Sequence, residues 1–276
     1  MRKTAIVTGA SSGFGLLIAI ELAKLNFRVI ACMRNMEKSP LLLQKASEFG
    51  CEKNIEVFPL DVRSEDSIVS LRRKLQELDS VDVLVNNAGY AHGGFCEEIT
   101  VQDYRSQFET NVFGLISVTQ CVLPLMRKNN FGRIINMSSI SGKFGFPGLS
   151  AYTSSKHAIE GFSESLRLEV KPFGIDVTLI EPGSYRTNIW SSIDTTEINE
   201  NSPYHKYMSG ILNEINGSKN KHGDPLDVAK LVAKIASQKK RPKLRYPIGK
   251  GVIQTLLMKK FVPWETIEKA VLKKFK

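Results

Sequence analysis

Short runs of consecutive apolar, β-branched residues recur along this chain, and between them lie longer stretches whose apolar positions repeat every three to four residues. The apolar runs occupy residues 4–8, 28–33, 55–60, 81–86, 132–138 and 175–181, and the helical patterns residues 15–25, 64–78, 104–126 and 152–170. Strands that are apolar throughout, rather than at alternate positions, are buried on both faces. Alternating them with helices predicts an α/β fold: a doubly wound parallel sheet with helices on both sides and ligands beyond the carboxyl ends of its strands. The segment 184–224 breaks this rhythm. It is long, polar and rich in Asn and Ser, which marks it as a cover over the site rather than a separate domain. A last helix at 225–236 and a short strand at 244–247 complete a single domain over residues 1–250, and residues 251–276 form a C-terminal extension.

Composition narrows the class. Of 276 residues, 42% are hydrophobic and 24% charged, enough for a large core in one domain. The longest uninterrupted apolar runs fall short of the roughly 20 residues of a membrane helix. Residues 3–7 already read as the first strand, which argues against an export signal. Cys32, Cys51, Cys96 and Cys121 show neither close pairing nor zinc-site spacing, so reduced thiols, a cytoplasmic protein and no bound metal are expected. The formal net charge of +10 is unevenly placed. Residues 239–276 hold twelve basic and two acidic residues, and the rest of the chain is neutral.

The first strand runs into Thr8-Gly9-Ala10-Ser11-Ser12-Gly13-Phe14-Gly15 and then a helix. Glycines let the backbone turn sharply and approach a pyrophosphate, while the new helix offers free N–H groups and a partial positive charge. The Gly-x3-Gly-x-Gly spacing differs from the better-known Gly-x-Gly-x-x-Gly, and a plain strand-to-helix connection can be built the same way. At the end of the second strand, where an NAD site places a carboxylate on the adenine ribose, the chain has Met33-Arg34. A guanidinium there suits a 2′-phosphate, so NADP(H) is expected in preference to NAD(H), unless Arg34 is simply a solvated surface residue. Asp61, ending the third strand, is placed either for the adenine ring or as the N-cap of the next helix.

Tyr152 and Lys156 stand four apart in a helical segment and share one face. A free tyrosine titrates near ~10, and a neighbouring ammonium would stabilise its phenolate and bring it into the range of a general acid/base. Such a pair alone arises often by chance. Thirteen residues upstream, however, Ser139 follows a strand, where its hydroxyl can donate to the oxygen that Tyr152 protonates. Asn86-Asn87-Ala88-Gly89 closes the fourth strand, and Pro182-Gly183-Ser184-Tyr185-Arg186-Thr187 follows the sixth. Asn111 lies inside a long helical segment, where an asparagine needs a reason such as a local distortion or a held water.

Together and in this order, over residues 3 to about 190, these motifs resemble the short-chain dehydrogenase/reductase family in its single-domain branch. The resemblance implies a Rossmann fold and nicotinamide-dependent oxidoreduction between an alcohol and a carbonyl. By it, Gly9, Ser11, Gly13, Phe14 and Gly15, with Ser12 between them, match the dinucleotide loop, and Asp61 with Val62 the adenine contact. Asn87, Ala88 and Gly89 match the segment bordering the cofactor, and Pro182, Gly183 and Thr187 the element beside the nicotinamide. Ser139, Tyr152 and Lys156 match the catalytic residues, Asn111 the asparagine completing a proton relay through water, and Lys156 also the ligand of the nicotinamide ribose. No catalytic position is missing, which weighs against the alternative of a cofactor-sensing binding protein without turnover. The resemblance further implies a homodimer or homotetramer paired through segments 104–126 and 152–170.

Substrate choice falls to the cover. Trp190, Tyr204, Tyr207, Met208, Ile211 and Leu212 there would either wrap an apolar substrate or anchor the cover to the body. In the extension, Trp264, Ile267, Val271 and Phe275 form an apolar stripe with lysines on the remaining faces. That pattern fits helices packed on the body and walling the substrate pocket, or a peripheral helix on an anionic membrane. Nucleic acid is not an expected partner, since no reader motif accompanies the basic residues. The extension resembles, more loosely, that of relatives acting on steroids, retinoids and other lipophilic alcohols, so a hydrophobic alcohol or ketone is the expected substrate.

Overall fold

The computed structural model describes residues 2–187, 200–218 and 222–273. Trp190 of the cover and Phe275 of the extension lie outside them. Seven strands form one sheet: β1 (Thr4–Thr8), β2 (Arg28–Met33), β3 (Ile55–Pro59), β4 (Val83–Asn86), β5 (Gly132–Met137), β6 (Ile175–Pro182) and β7 (Arg245–Ile248). All neighbours pair in parallel, in the order β3-β2-β1-β4-β5-β6-β7. The winding reverses between β1 and β4, so a crevice opens beyond their carboxyl ends. β1 and β2 have the expected limits, and the other strands move by one or two residues at an end, where pairing frays.

Successive side chains of β1 face opposite layers, as a strand period of two requires. Ala5 and Val7 pack with Leu22 and Ala19 of α1 (Gly13–Lys24) and with a helix at Pro225–Ser237. Ile6 packs with Leu71 of α3 (Glu65–Gln76), Val122 of α5 (Gly114–Lys128) and Leu166 of α6 (Ser150–Val170). Because both faces are covered, successive positions of the central strands are buried and mostly apolar, with polar exceptions such as Arg133, Asn136, Asp176 and Glu181. α2 (Ser39–Ser47), which the sequence pattern did not announce, buries only Leu42 and Ala46. Its three consecutive leucines, Leu41, Leu42 and Leu43, of which Leu41 and Leu43 are exposed, blur the three-to-four-residue periodicity by which a helix is read.

The helix expected at 104–126 extends over residues 101–128 and is interrupted. α4 (Val101–Phe108) passes through a π turn at Glu109–Phe113 before α5 begins. Asn111 lies at the centre of that turn, which is the local distortion its position called for. By length and composition the whole segment could cross a membrane. In the fold it is a core helix, with Val118, Val122 and Met126 fully buried against the sheet.

The cover contains α7 (His205–Ser218), and α8 (Pro225–Ser237) leads back to β7. Phe95 stacks on Tyr204 at 4.3 Å between centroids and on Tyr207 at 5.4 Å, so these two aromatics anchor the cover to the loop after β4. The extension forms α9 (Val252–Phe261) and α10 (Trp264–Lys273). Ile267 is buried and the Trp264 ring lies 6.0 Å from Phe144, so α10 packs on the body. A largely apolar cavity of about 620 Å³ separates α10 from residues 145–157. It shares no lining residue with the cleft around Tyr152. α10 thus lies against the side of α6 that carries Ser150, Thr153, Ser154 and His157, apart from the cleft that holds Tyr152.

Candidate active site

The carboxyl ends of β1 and β4 are stitched together by one threonine. Thr8 Oγ1 accepts from the backbone N–H of Asn87 (2.9 Å) and Ala88 (3.0 Å), and Asn87 Nδ2 donates to the carbonyls of Thr8 (2.9 Å) and Gly9 (3.1 Å). Glycine is required where the turn meets this junction. A Cβ on Gly15 would lie 2.3 Å from the Gly9 carbonyl oxygen and 2.4 Å from Asn87 Nδ2, and Gly9 itself turns with φ +68°. Ser12 occupies the N-cap of α1 without a side-chain capping bond, and no acidic residue enters the first turn. The leading N–H groups of α1 thus lack intrahelical partners, an arrangement suited to an anion.

From this turn a cavity of about 470 Å³ runs toward the ends of β2 and β3. Ser11, Ser12, Gly13 and Phe14 line one side, Asn87, Ala88 and Gly89 another, and Arg34, Lys38, Asp61 and Val62 the far end. That end is cationic. Its one acid, Asp61, is already held by Arg63 at 2.8 Å, a hydrogen-bonded pair that keeps its carboxyl below the ordinary range. Asp61 is not the cap of α3, as one reading of the sequence had it. Ser64 takes that place and accepts from Ser67 N–H at 3.3 Å.

A smaller, adjoining cleft is lined by Phe14, Met137, Ser139, Tyr152, Lys156, Pro182, Gly183 and Thr187. Tyr152 and Lys156 project from α6 onto the end of β5, and both are buried. Lys156 Nζ donates to the Met137 carbonyl at 2.7 Å and lies 5.6 Å from the centre of the Tyr152 ring. The Ser139 hydroxyl hydrogen-bonds Tyr152, while Ser139 Oγ accepts from Ser141 N–H at 3.1 Å. Ser139 is therefore oriented by its own turn, with its proton free to point at the phenol oxygen.

Burial dominates the titration of both groups. It pushes the Tyr152 phenol up to about 12, with the Ser139 bond acting in the opposite sense. It pushes the Lys156 ammonium down to about 8, opposed by the negative charge of Glu160. This corrects the expectation that the lysine brings the tyrosine below its ordinary value. The ammonium is engaged by Met137, and desolvation outweighs its field at the phenol.

Asn111 is buried, and its amide is fully used. Nδ2 donates to Tyr90 O (3.0 Å) and Ser155 Oγ (3.1 Å), and Oδ1 accepts from Tyr90 N–H (3.1 Å). Among the described residues, no three His, Cys, Asp or Glu side chains gather where a metal ion could be held.

With this geometry in view, the chain was compared with known proteins. Residues 3–198 match the family model for short chain dehydrogenase. An uncharacterized oxidoreductase of Bacillus subtilis, YusZ, is 49% identical over 99% of this chain and 98% of its own. The 3-ketodihydrosphingosine reductase of Bacteroides thetaiotaomicron is 34% identical over 92% and 90%, and bovine retinol dehydrogenase 8 is 32% identical over 88% and 80%. The crystal structure of a variant of actinorhodin polyketide ketoreductase with NADPH superposes with a TM-score of 0.79, at 32% identity over 91% of this chain and 97% of that one.

The chain belongs to the short-chain dehydrogenase family. It is accordingly an oxidoreductase that works with a nicotinamide cofactor on an alcohol or carbonyl group. The expected site residues of this short-chain dehydrogenase fall on the crevice or on the elements that shape it, with Ser139 from the end of β5 meeting Tyr152 and Lys156 from α6. Four residues at the site escaped the sequence reading. Lys38 joins Arg34 at the cationic end, and Thr8 is the junction of β1 and β4. Ser138 and Glu160 form a 2.6 Å hydrogen bond beneath Lys156. The last had a visible signal, since Tyr152, Lys156 and Glu160 are spaced four apart on one helix.

Proposed function

We propose that this short-chain dehydrogenase interconverts a lipophilic alcohol and its carbonyl compound with NADP(H), and that Tyr152 is its general acid/base. The observation that carries the reading is the convergence of Tyr152, Ser139 and Lys156 in one buried cleft continuous with the dinucleotide-sized cavity. The residues present fit the cofactor. The glycine turn and open start of α1 would hold the pyrophosphate, Asp61 and Val62 the adenine, Lys156 the nicotinamide ribose, and Pro182, Gly183 and Thr187 the carboxamide end. Arg34 and Lys38, at the end where an NAD site would carry a free carboxylate, support a 2′-phosphate. Bound NADP(H) would supply or accept the hydride.

The proton is the chain's own business. A carbonyl oxygen beside Tyr152 receives the phenolic proton as it becomes a hydroxyl, and Ser139 stabilises the charge that develops on it. Lys156 keeps a positive charge under the phenol, where the phenolate left by proton transfer needs it. The Asn111 side chain is taken up by Tyr90 and Ser155, so its part in a water path that replaces that proton would fall to its backbone in the π turn. Replacing Tyr152 with Phe is expected to lower kcat by roughly 10³ while NADPH affinity changes less than about threefold, read by NADPH oxidation and fluorescence titration. Near-normal turnover would rule out the assignment. For Arg34→Ala, KM for NADPH is expected to rise roughly tenfold, a loss of about 1.4 kcal/mol, with KM for NADH nearly unchanged. Equal changes for both cofactors would remove the 2′-phosphate contact.

The lipophilic reading draws on the named activities of the ketodihydrosphingosine reductase and retinol dehydrogenase relatives, and on α9. Ile253, Leu257, Phe261 and Trp264 leave half or more of their surface exposed along one side of the extension. Lys250, Lys259, Lys260, Lys269 and Lys273 flank them. An exposed apolar stripe bordered by lysines suits shallow contact with an anionic bilayer. In vesicle flotation with anionic lipid, the full chain is expected to float, and a chain ending at Gly251 or one carrying Leu257→Ser and Phe261→Ser to remain below. Equal partitioning of all three would dismiss membrane contact. Subunit pairing is expected through the segment of the π turn and α5, where Phe113 is exposed, and through the part of α6 beyond α10, where Leu168 is exposed.

A further inference from the structure

We propose that Glu160 is a positioning residue for the proton-transfer step: as the third rung of the α6 face after Tyr152 and Lys156, it fixes the end of β5 that holds both partners and keeps a negative charge beneath Lys156. The inference rests on the roles proposed above for Tyr152 and Lys156.

Three consecutive residues at the end of β5 each meet one rung of the helix. The Met137 carbonyl accepts from Lys156, Ser138 Oγ donates to Glu160 Oε1 at 2.6 Å, and Ser139 bonds Tyr152. Ser138 is thus pinned between the two contacts on which the reaction depends. Gly142 allows the close approach, since a Cβ there would lie 2.7 Å from Ser138 Oγ and 3.0 Å from Glu160 Cγ.

Glu160 is itself held from two other elements. Its Oε2 pairs with Lys143 Nζ at 2.8 Å, on the loop after β5, and with Arg245 Nε at 2.9 Å, on β7. Arg245 Nε also lies 3.2 Å from Glu181 Oε1 on β6, and its Nη2 bonds Glu164 on α6. Two buried carboxyls therefore converge on one guanidinium. Burial, and then the charge of Glu160, raise the Glu181 carboxyl above the ordinary range, against the opposing charges of Lys143 and Arg245. The charge that acts on Lys156 is that of Glu160, and the charged groups gathered around Glu160 are Lys143, Arg245 and, through Arg245, Glu164 and Glu181. The acid joined directly to the strand that carries Met137 is Glu160.

The sign follows from charge. Glu160 favours the ammonium, so removing its charge should release the Lys156 proton at lower pH. Removing Lys143, which partly neutralises Glu160, should do the reverse. The test is the pH profile of kcat for NADPH-dependent carbonyl reduction. For Glu160→Gln, kcat is expected to fall roughly tenfold at neutral pH and the alkaline limb to move down by up to roughly one unit, with Glu160→Asp restoring most of that position. For Lys143→Gln, on a partly exposed loop, with Arg245 still paired to Glu160, the limb is expected to move up. Alkaline limbs that coincide with the parent's in both Glu160→Gln and Lys143→Gln would overturn the proposal, as would a limb that moves the wrong way. Should Glu160→Gln not fold, Lys143→Gln alone decides. Tyr152→Phe run alongside separates the two levels: full turnover there refutes the site, whereas an inactive Tyr152→Phe with unmoved limbs refutes the role of Glu160 alone.

Discussion

A lysine ammonium buried under a tyrosine ring has lost its hydration, and much of this site is arranged around that loss. A charge so placed costs several kcal/mol unless acceptors replace the water. Here the Met137 carbonyl supplies one at 2.7 Å, and the carboxylate of Glu160 supplies the nearby negative field. The Met137 carbonyl is available because β5 ends there. Its last paired residue on β6 is Ile180, whose carbonyl also accepts from Ser138 N–H at 2.8 Å, and from Ser139 the chain turns away at residues 140–142. The strand end, the helix face and the buried charge are thus one construction, in which a change to any part displaces the others.

The same edge of the sheet organises the cofactor side. Thr8 joins β1 to β4 with its hydroxyl, and the glycines of the turn are spent on close approach to that junction, leaving the start of α1 open to an anion. The reversal of strand order between β1 and β4 makes the crevice, and the adjoining cleft at β5 and β6 places the reacting groups next to it. Both cavities share Phe14, Asn87, Gly89 and Thr187, so the two form one continuous surface.

Much of this was legible in the sequence because it is local. Strands apolar at successive positions announced a sheet covered on both faces, and the glycine turn, the Tyr152–Lys156 spacing and Ser139 lie close enough along the chain to be read as motifs. Asn111 stood out as a polar residue in the wrong place, and the π turn at 109–113 explains it. What could not be read depends on burial or on distant partners. Nothing local says that desolvation governs Tyr152, or that Glu160 meets an arginine 85 positions away. The cap of α3 was missed for a subtler reason: Asp61 and Ser64 are both good caps, and Arg63 had already claimed the aspartate. In the extension, the periodicity that suggested packing was right for Ile267, while α9 presents its own apolar side to the exterior.

The central claim is that a buried, charged Lys156 sustains proton donation by Tyr152. The most direct measurement is the pH dependence of kcat/KM for NADPH-dependent carbonyl reduction by the unmodified enzyme. Because burial lowers the ammonium to about 8, its charge is complete well below that pH and lost above it. The rate should therefore hold level in the acid range, turn over near pH 8 and fall by roughly tenfold per unit beyond. A profile that stays level to about pH 10, where an ordinary lysine still carries its proton, would contradict the account.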